Sequence, residues 1–127
     1  MNMVHPAYFY FLPFKVTRPH IQKIIAVIEA KVLTWNGIRS GDHRMGAREF
    51  LFGHREIGHI HWNGDLDIVF GKQITERILK RKPLQQHAYL PGVAITLKIR
   101  SDNDISFAVS LLRYAYLLKK ASKLPDC

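Results

Sequence analysis

The chain has one cysteine, and it is the last of 127 residues. That excludes an intramolecular disulfide and any zinc site built from several cysteines. A reducing compartment is the expectation. Long apolar runs are also missing. The aromatic segment 1–16 falls short of the ~20 apolar residues that span a bilayer as a helix. No basic residue precedes its apolar run and no small-residue cleavage site follows, so no signal peptide is expected and the protein is read as cytoplasmic. Pro6 and Pro13 discourage a helix there. The segment is expected to be an extended arm that packs its rings on the domain, on a second copy or on a membrane surface, which makes a homodimer one reading. Acidic residues are few: 10 Asp and Glu stand against 19 Lys and Arg, a formal +9. This excludes an acidic disordered tail and points toward an anionic partner. There is no internal repeat, no glycine-rich phosphate loop, no helix-turn-helix signature and no RNA-binding aromatic motif. The serines lack a G-x-S-x-G setting, so hydrolase chemistry by that route has no support.

What is present suits one globular domain over 1–127. Hydrophobic types make up 47% of the residues, enough at this length for a core that needs no staple. Ile21, Ile24, Ile25, Ile28 and Val32 recur at helical spacing and predict a helix from about Pro19 to Thr34. A loop is expected from Gly37 to Met45. Two turn signals then predict three antiparallel strands: Gly53-His54 for a type II′ turn and Asn63-Gly64 for a type I′ turn. A short basic helix over Lys72–Lys82 stops before Pro83. A fourth strand alternates Val93, Ile95, Leu97 and Ile99 with Ala94, Thr96, Lys98 and Arg100. The last helix, about Asp102 to Lys120, is apolar on most sides and is expected to be largely buried. Ser101 and Asp104 stand at capping-box separation before it. The expected fold is α+β in the order α-β-β-β-α-β-α, with helices on one face of an antiparallel sheet of about four strands.

Two-residue turns set a definite register. Counting outward, Phe50 faces Ile57, Arg48 faces His59, His61 faces Leu66 and His59 faces Ile68. One face then collects Phe50, Phe52, Ile57, Leu66, Ile68 and Phe70, with Arg48, Arg55, His59 and His61 among them. The other collects Glu49, Leu51, Glu56, Gly58, Ile60, Trp62, Asp65, Asp67 and Val69. The first is the core side by composition. A one-residue slip would exchange the sets.

The chemistry-bearing residues crowd between His54 and Asp65, where three histidines, an arginine, a glutamate and an aspartate fall within twelve positions. A histidine among apolar neighbours has its charged form disfavoured and serves as a neutral base. Three readings of His59 and His61 stay open: hydrogen-bonded fillers, a metal-free pocket, or two ligands of a metal site. The last needs a third ligand from His87 or a loop carboxylate. The charge excess lies elsewhere. Residues 72–82 carry Lys72, Arg77, Lys80, Arg81 and Lys82 against Glu76 alone. They form the candidate surface for nucleic acid or another polyanion, or a solvated helix end favoured by the helix dipole. Trp62 reads as a surface clamp beside the turn, and the terminal thiol as incidental.

The run from Gly53 to Ile68 resembles the luciferase-domain family, whose pattern is close to R-E-[IFL]-G-H-[IL]-H-x-x-G-x-[LV]-D-[IL]. Arg55, Glu56, Gly58, His59, His61, Gly64 and Asp67 match it. His87 stands where the family has a histidine before a proline-containing turn. Leu111-Leu112-Arg113-Tyr114-Ala115-Tyr116 looks like the family's closing signature. The resemblance covers roughly Ala47 to Leu118. It departs at Gly92-Val93, where the family usually carries a tryptophan. The resemblance implies oxidation of a small molecule by molecular oxygen with neither metal nor flavin. The sequence reading therefore takes His59, His61 and Arg55 as the catalytic group. Arg55 would hold an anionic oxygen and a histidine would take the proton of an acidic hydroxyl. Glu56, Asp65, Asp67 and His87 are the substrate contacts. No metal and no cofactor are assigned.

Overall fold

The computed structural model describes residues 19–43, 47–81, 85–86 and 92–122. The N-terminal arm, Arg44, Lys82, His87, Pro91 and Cys127 lie outside the described residues. Helix α1 (Pro19–Val32) buries Ile21, Ile24, Ile25, Ile28 and Val32, the predicted stripe. Pro19 is its first residue, where a missing N–H costs nothing. Four strands follow: β1 (Ile38–His43), β2 (Ala47–Phe52), β3 (Arg55–His61) and β4 (Asp65–Val69). Helix α2 (Lys72–Arg81), the two-residue β5 (Gln85–Gln86) and β6 (Ala94–Lys98) come next. A 3-10 turn, Asp102–Asp104, leads into helix α3 (Ile105–Ser122).

The fold is α+β. Its sheet is antiparallel throughout, in the order β1-β2-β3-β4-β6-β5. It therefore has five strands of ordinary length plus the short β5, rather than about four. The expected loop before Met45 is instead the edge strand β1. Its sequence, Ile-Arg-Ser-Gly-Asp-His, has no apolar alternation, and it becomes a strand by pairing all six residues with β2.

Helices α1 and α3 pack on each other, and α3 lies against β2, β3 and β4. The core between them holds Phe50, Ile57, Ile60, Leu66, Ile68 and Ile95 from the sheet and Ala108, Leu111, Leu112, Ala115 and Tyr116 from α3. Only one stripe of α3 is buried, fewer sides than its composition suggests, and Tyr114 and Leu117 are exposed. Burying this much fully enclosed aliphatic and aromatic surface supplies the main driving force for the fold. The Tyr116 hydroxyl donates to the Asn36 carbonyl at 2.7 Å and ties α3 to the end of α1. Ahead of α3, the Asp104 carboxylate accepts from the backbone N–H groups of Arg100 and Ser101 at 2.8 and 3.2 Å.

Two details of the hairpins decide which residues share a face. First, β3 carries a bulge. Phe52 faces Arg55 as the turn predicts, but Leu51 then faces Glu56 and Phe50 faces Gly58, which leaves Ile57 as the extra residue. Second, the β3–β4 loop has three residues, not two. Ile60 faces Leu66 and His59 faces Asp67. The Gly64 N–H donates to the His61 carbonyl at 2.8 Å, and Gly64 has φ of +97°. Three-residue hairpins with a glycine at positive φ are a standard alternative to the two-residue type. A Cβ on Gly64 would collide with the Ile99 carbonyl oxygen, so the position needs glycine.

The expected partition of faces is thus corrected in the middle of β3. Gly58 and Ile60 turn to the helices, and His59 and His61 turn to the opposite face. A Cβ on Gly58 would stand 2.8 Å from Leu112 Cδ2, so glycine lets α3 come close here. Arg48, Phe50, Phe52, Arg55, Leu66 and Ile68 keep the helix side that the turns predict. Glu49, Leu51, Glu56, Asp65 and Asp67 keep the other.

Candidate functional site

The corrected register brings the histidines to the carboxylates. On the face opposite α1 and α3, adjacent strands place His59 directly beside Asp67. His61 Nε2 donates to Asp67 Oδ2 at 2.9 Å, and His59 Nε2 lies 3.3 Å from the same oxygen. The two imidazoles meet edge to face, with centroids 5.1 Å apart. His59 Nδ1 donates to Glu56 Oε2 at 2.6 Å. Residues three apart on a regular strand point to opposite faces, because side chains alternate. Glu56 and His59 meet because the extra residue, Ile57, lies between them. Bulges often re-aim side chains in this way beside functional sites.

Asp67 is the hub. It is 6% exposed, and its other oxygen, Oδ1, accepts from the Thr96 hydroxyl at 2.6 Å. Thr96 was not among the residues singled out from sequence. Its only sequence signal was its place in the β6 alternation, and only the pairing of Asp67 with Thr96 across β4 and β6 gives that place a meaning. His61 is as buried as Asp67, while Glu56 is partly open to solvent.

Burial by itself would disfavour a charged imidazole at His59, as expected from sequence. It is outweighed by hydrogen bonds to Asp67 and Glu56 and by their negative charges, which raise the His59 pKa to about 9. His59 is thus an imidazolium at neutral pH, the reverse of the neutral base anticipated. Burial pushes Asp67 upward too, but hydrogen bonds from His59, His61 and Thr96 hold it well below the usual carboxylate range. The physical reason for the difference is the pair of register changes, the bulge at Ile57 and the three-residue loop. The first brings Glu56 to His59 and the second brings Asp67, so two carboxylates replace an apolar setting.

The remaining predicted residues sit elsewhere. Arg55 is on the helix side, where it donates to the Ser122 hydroxyl at 2.9 Å at the end of α3. Asp65 pairs with Arg100 at 2.9 Å and Lys98 at 3.8 Å, beside the Asn63-Gly64 loop. Lys72, Arg77 and Lys80 lie exposed along α2, which Arg81 ends. Among the described residues, no helix is long and apolar enough to cross a membrane.

The closing Leu111–Tyr116 signature also has a structural meaning. Leu111 and Leu112 enter the core, and the Arg113 guanidinium lies 5.1 Å from the ring centroids of both Trp35 and Tyr116. These residues hold α3 against the sheet whose far face bears the cluster.

No curated protein and no solved structure matches the chain. A family model described as Luciferase domain matches residues 54–115. That segment runs from the first turn through the bulged β3 and β4 to most of α3. It includes Glu56, His59, His61, Asp67 and Thr96, so the cluster lies inside the segment that matches the luciferase-domain family.

Proposed function

We propose that this protein binds a small organic molecule with an ionisable hydroxyl at the Glu56–His59–His61–Asp67 cluster and transfers a proton there. The observation that carries this reading is the convergence of two imidazoles and two carboxylates, linked at 2.6–3.3 Å, on the face away from the helical core. Ionisable groups buried together in this way are characteristic of sites tuned for proton transfer. In the metal-free site His59, charged and joined to two carboxylates, turns the N–H of its longer contact, Nε2, to an oxygen that gains negative charge, the role first given to Arg55. Glu56, partly open to solvent, takes the hydroxyl proton. Asp67 orients both rings, as a carboxylate behind a histidine does in acid–base catalysis. Oxidation of the resulting anion by molecular oxygen is the reaction class that the family name suggests.

The test is thermal unfolding of metal-free protein against a panel of small phenols and enols. At least one should raise the melting temperature of the wild type by several degrees, since binding to the native state alone stabilises it. His59→Gln and His61→Gln, checked for native circular dichroism, should lose that rise. If no phenol or enol shifts the wild type, or if the folded variants respond as it does, the reading fails.

A further inference from the structure

We infer that His59, His61 and Asp67 form a binding site for a divalent first-row transition metal. The sequence reading kept a metal site as one alternative, wanting a third ligand from His87 or a loop carboxylate, and assigned none. The structure supplies that third ligand. One donor atom from each of His59, His61 and Asp67 lies within 4.8 Å of the other two. Two of the separations are 2.9 and 3.3 Å. Metal–ligand bonds of ~2.0–2.2 Å place neighbouring donor atoms roughly 3–3.5 Å apart, so the three need little movement to share one ion. Two histidines and one carboxylate are also a donor set that suits iron, zinc and their neighbours, whereas magnesium and calcium prefer all-oxygen sites.

The outer groups point the same way. Imidazole ligands of metals usually donate their second N–H to a carboxylate, which fixes the ring and raises its basicity. His59 does this, through Nδ1 to Glu56 at 2.6 Å. Ligating carboxylates are themselves held by hydrogen bonds. Thr96 holds Asp67 by Oδ1 at 2.6 Å, which leaves Oδ2 turned toward the two rings. All three ligands stand on β3 and β4, next to each other and on rigid backbone. Charge agrees as well. With both imidazoles neutral, as metal ligands must be, Glu56 and Asp67 leave two negative charges for a divalent ion to balance. Three protein ligands on one side of the ion leave positions free for water or a substrate oxygen. The inference rests on the proposed function only in placing the substrate hydroxyl at this site. The metal itself is tested without any substrate.

The experiment is titration of chelator-treated full-length protein with Co(II) alone, followed by calorimetry and by the visible spectrum of the ion. One equivalent should bind, with bands characteristic of nitrogen and oxygen ligation. Asp67→Asn and His61→Gln should abolish binding. Glu56→Gln, which removes no ligand, should weaken it about 10–100-fold. Thr96→Val, which keeps the shape of the side chain, should weaken it in the same sense. The inference is overturned if the folded wild type takes up no Co(II), Zn(II), Mn(II) or Fe(II). It is equally overturned if folded Asp67→Asn, or Glu56→Gln and Thr96→Val together, bind as the wild type does. Loss of metal binding with phenol binding intact in metal-free protein would remove this inference and leave the proposed function standing. The converse result would remove the proposed function alone.

Discussion

The two faces of the sheet solve different problems with the same strands. On the helix face the centre is apolar. Phe50, Ile60, Leu66 and Ile68 are wholly enclosed, and among the described residues the charged groups stand at the rim. There Arg48 reaches Glu29 of α1 at 2.9 Å and Asp42 of β1 at 2.8 Å, and Ser40 donates to Glu29 at 2.6 Å. On the far face the centre itself is ionic. His61 and Asp67 are buried and bonded to each other, with His59 between Asp67 and Glu56. A central ionic cluster is a poor way to gain stability, because desolvation of the charges offsets most of their attraction. An apolar set of the same size would hold the sheet as well. The contrast teaches that the helix face carries the folding energy, and it fits the proposal that the far face keeps its charged groups for chemistry.

That comparison can be broken or sharpened by substitution. The largest effect is expected on the helix face. Phe50→Ala removes a fully buried ring and should cost about 3–5 kcal/mol in urea unfolding. Where the variant is still folded, it should keep its metal stoichiometry, since Phe50 lies on the other side of the sheet.

A smaller effect is expected at the rim. Glu29 is drawn below its usual pKa: burial pushes it up, but hydrogen bonds from Arg48 and Ser40 and the charge of Arg48 prevail. A carboxylate lowered on folding adds stability above its unfolded pKa, and that stability is lost as pH falls through the folded value. Both side chains are partly exposed, so the amount at neutral pH should be no more than about 1 kcal/mol. The gap in unfolding free energy between wild type and Glu29→Gln should therefore be present at pH 7 and close in acid. A gap that stays constant down to pH 2.5 would show that this pair does not act through its charge.

The smallest effect on the far face should come from Arg55, the residue that sequence placed at the centre of the site. Arg55→Gln loses a surface hydrogen bond to Ser122, worth on the order of 1 kcal/mol or less. It should leave phenol and Co(II) binding within about twofold of wild type. A tenfold loss of either would return Arg55 to the site and weaken the distinction between the faces.

Much of this was legible residue by residue. The Ile21–Val32 stripe predicts α1 and the face it buries, because helix spacing is a local property. Gly53-His54 predicts the first turn, and Phe52 does face Arg55 across it. The density of histidines and carboxylates from His54 to Asp67 marks the stretch of chain in which the cluster forms. The grouping of those residues was less legible. A hint was available: Ile57 and Ile60 are both apolar and three apart, as Glu56 and His59 are both polar and three apart. A regular strand puts such pairs on opposite faces, and only an extra residue between them lets each pair share one. The second turn was ambiguous in another way. Asn63-Gly64 suits a two-residue loop, and Gly64 equally suits the last position of a three-residue loop. The Ile99 N–H, which donates to the Gly64 carbonyl at 2.9 Å, is 35 residues away and absent from any local reading.

The amino-acid sequence by itself determined the class of fold, the single apolar core, the positions of both turns and the stretch of chain in which histidines and carboxylates crowd together. These depend on spacing and composition along the chain. Tertiary structure decided which of those residues meet. It made β1 a strand by giving it β2 as a partner, and it placed the bulge at Ile57, where Gly58 admits Leu112 of α3. It also set the loop at three residues, with Gly64 against Ile99. The bulge and the loop each move the register by one residue, and with a side-chain period of two that is enough to carry a histidine through the sheet. His59 and His61 thus left the face of Arg55 and joined Glu56 and Asp67, because packing against α3 and β6 overrode the count from the turns.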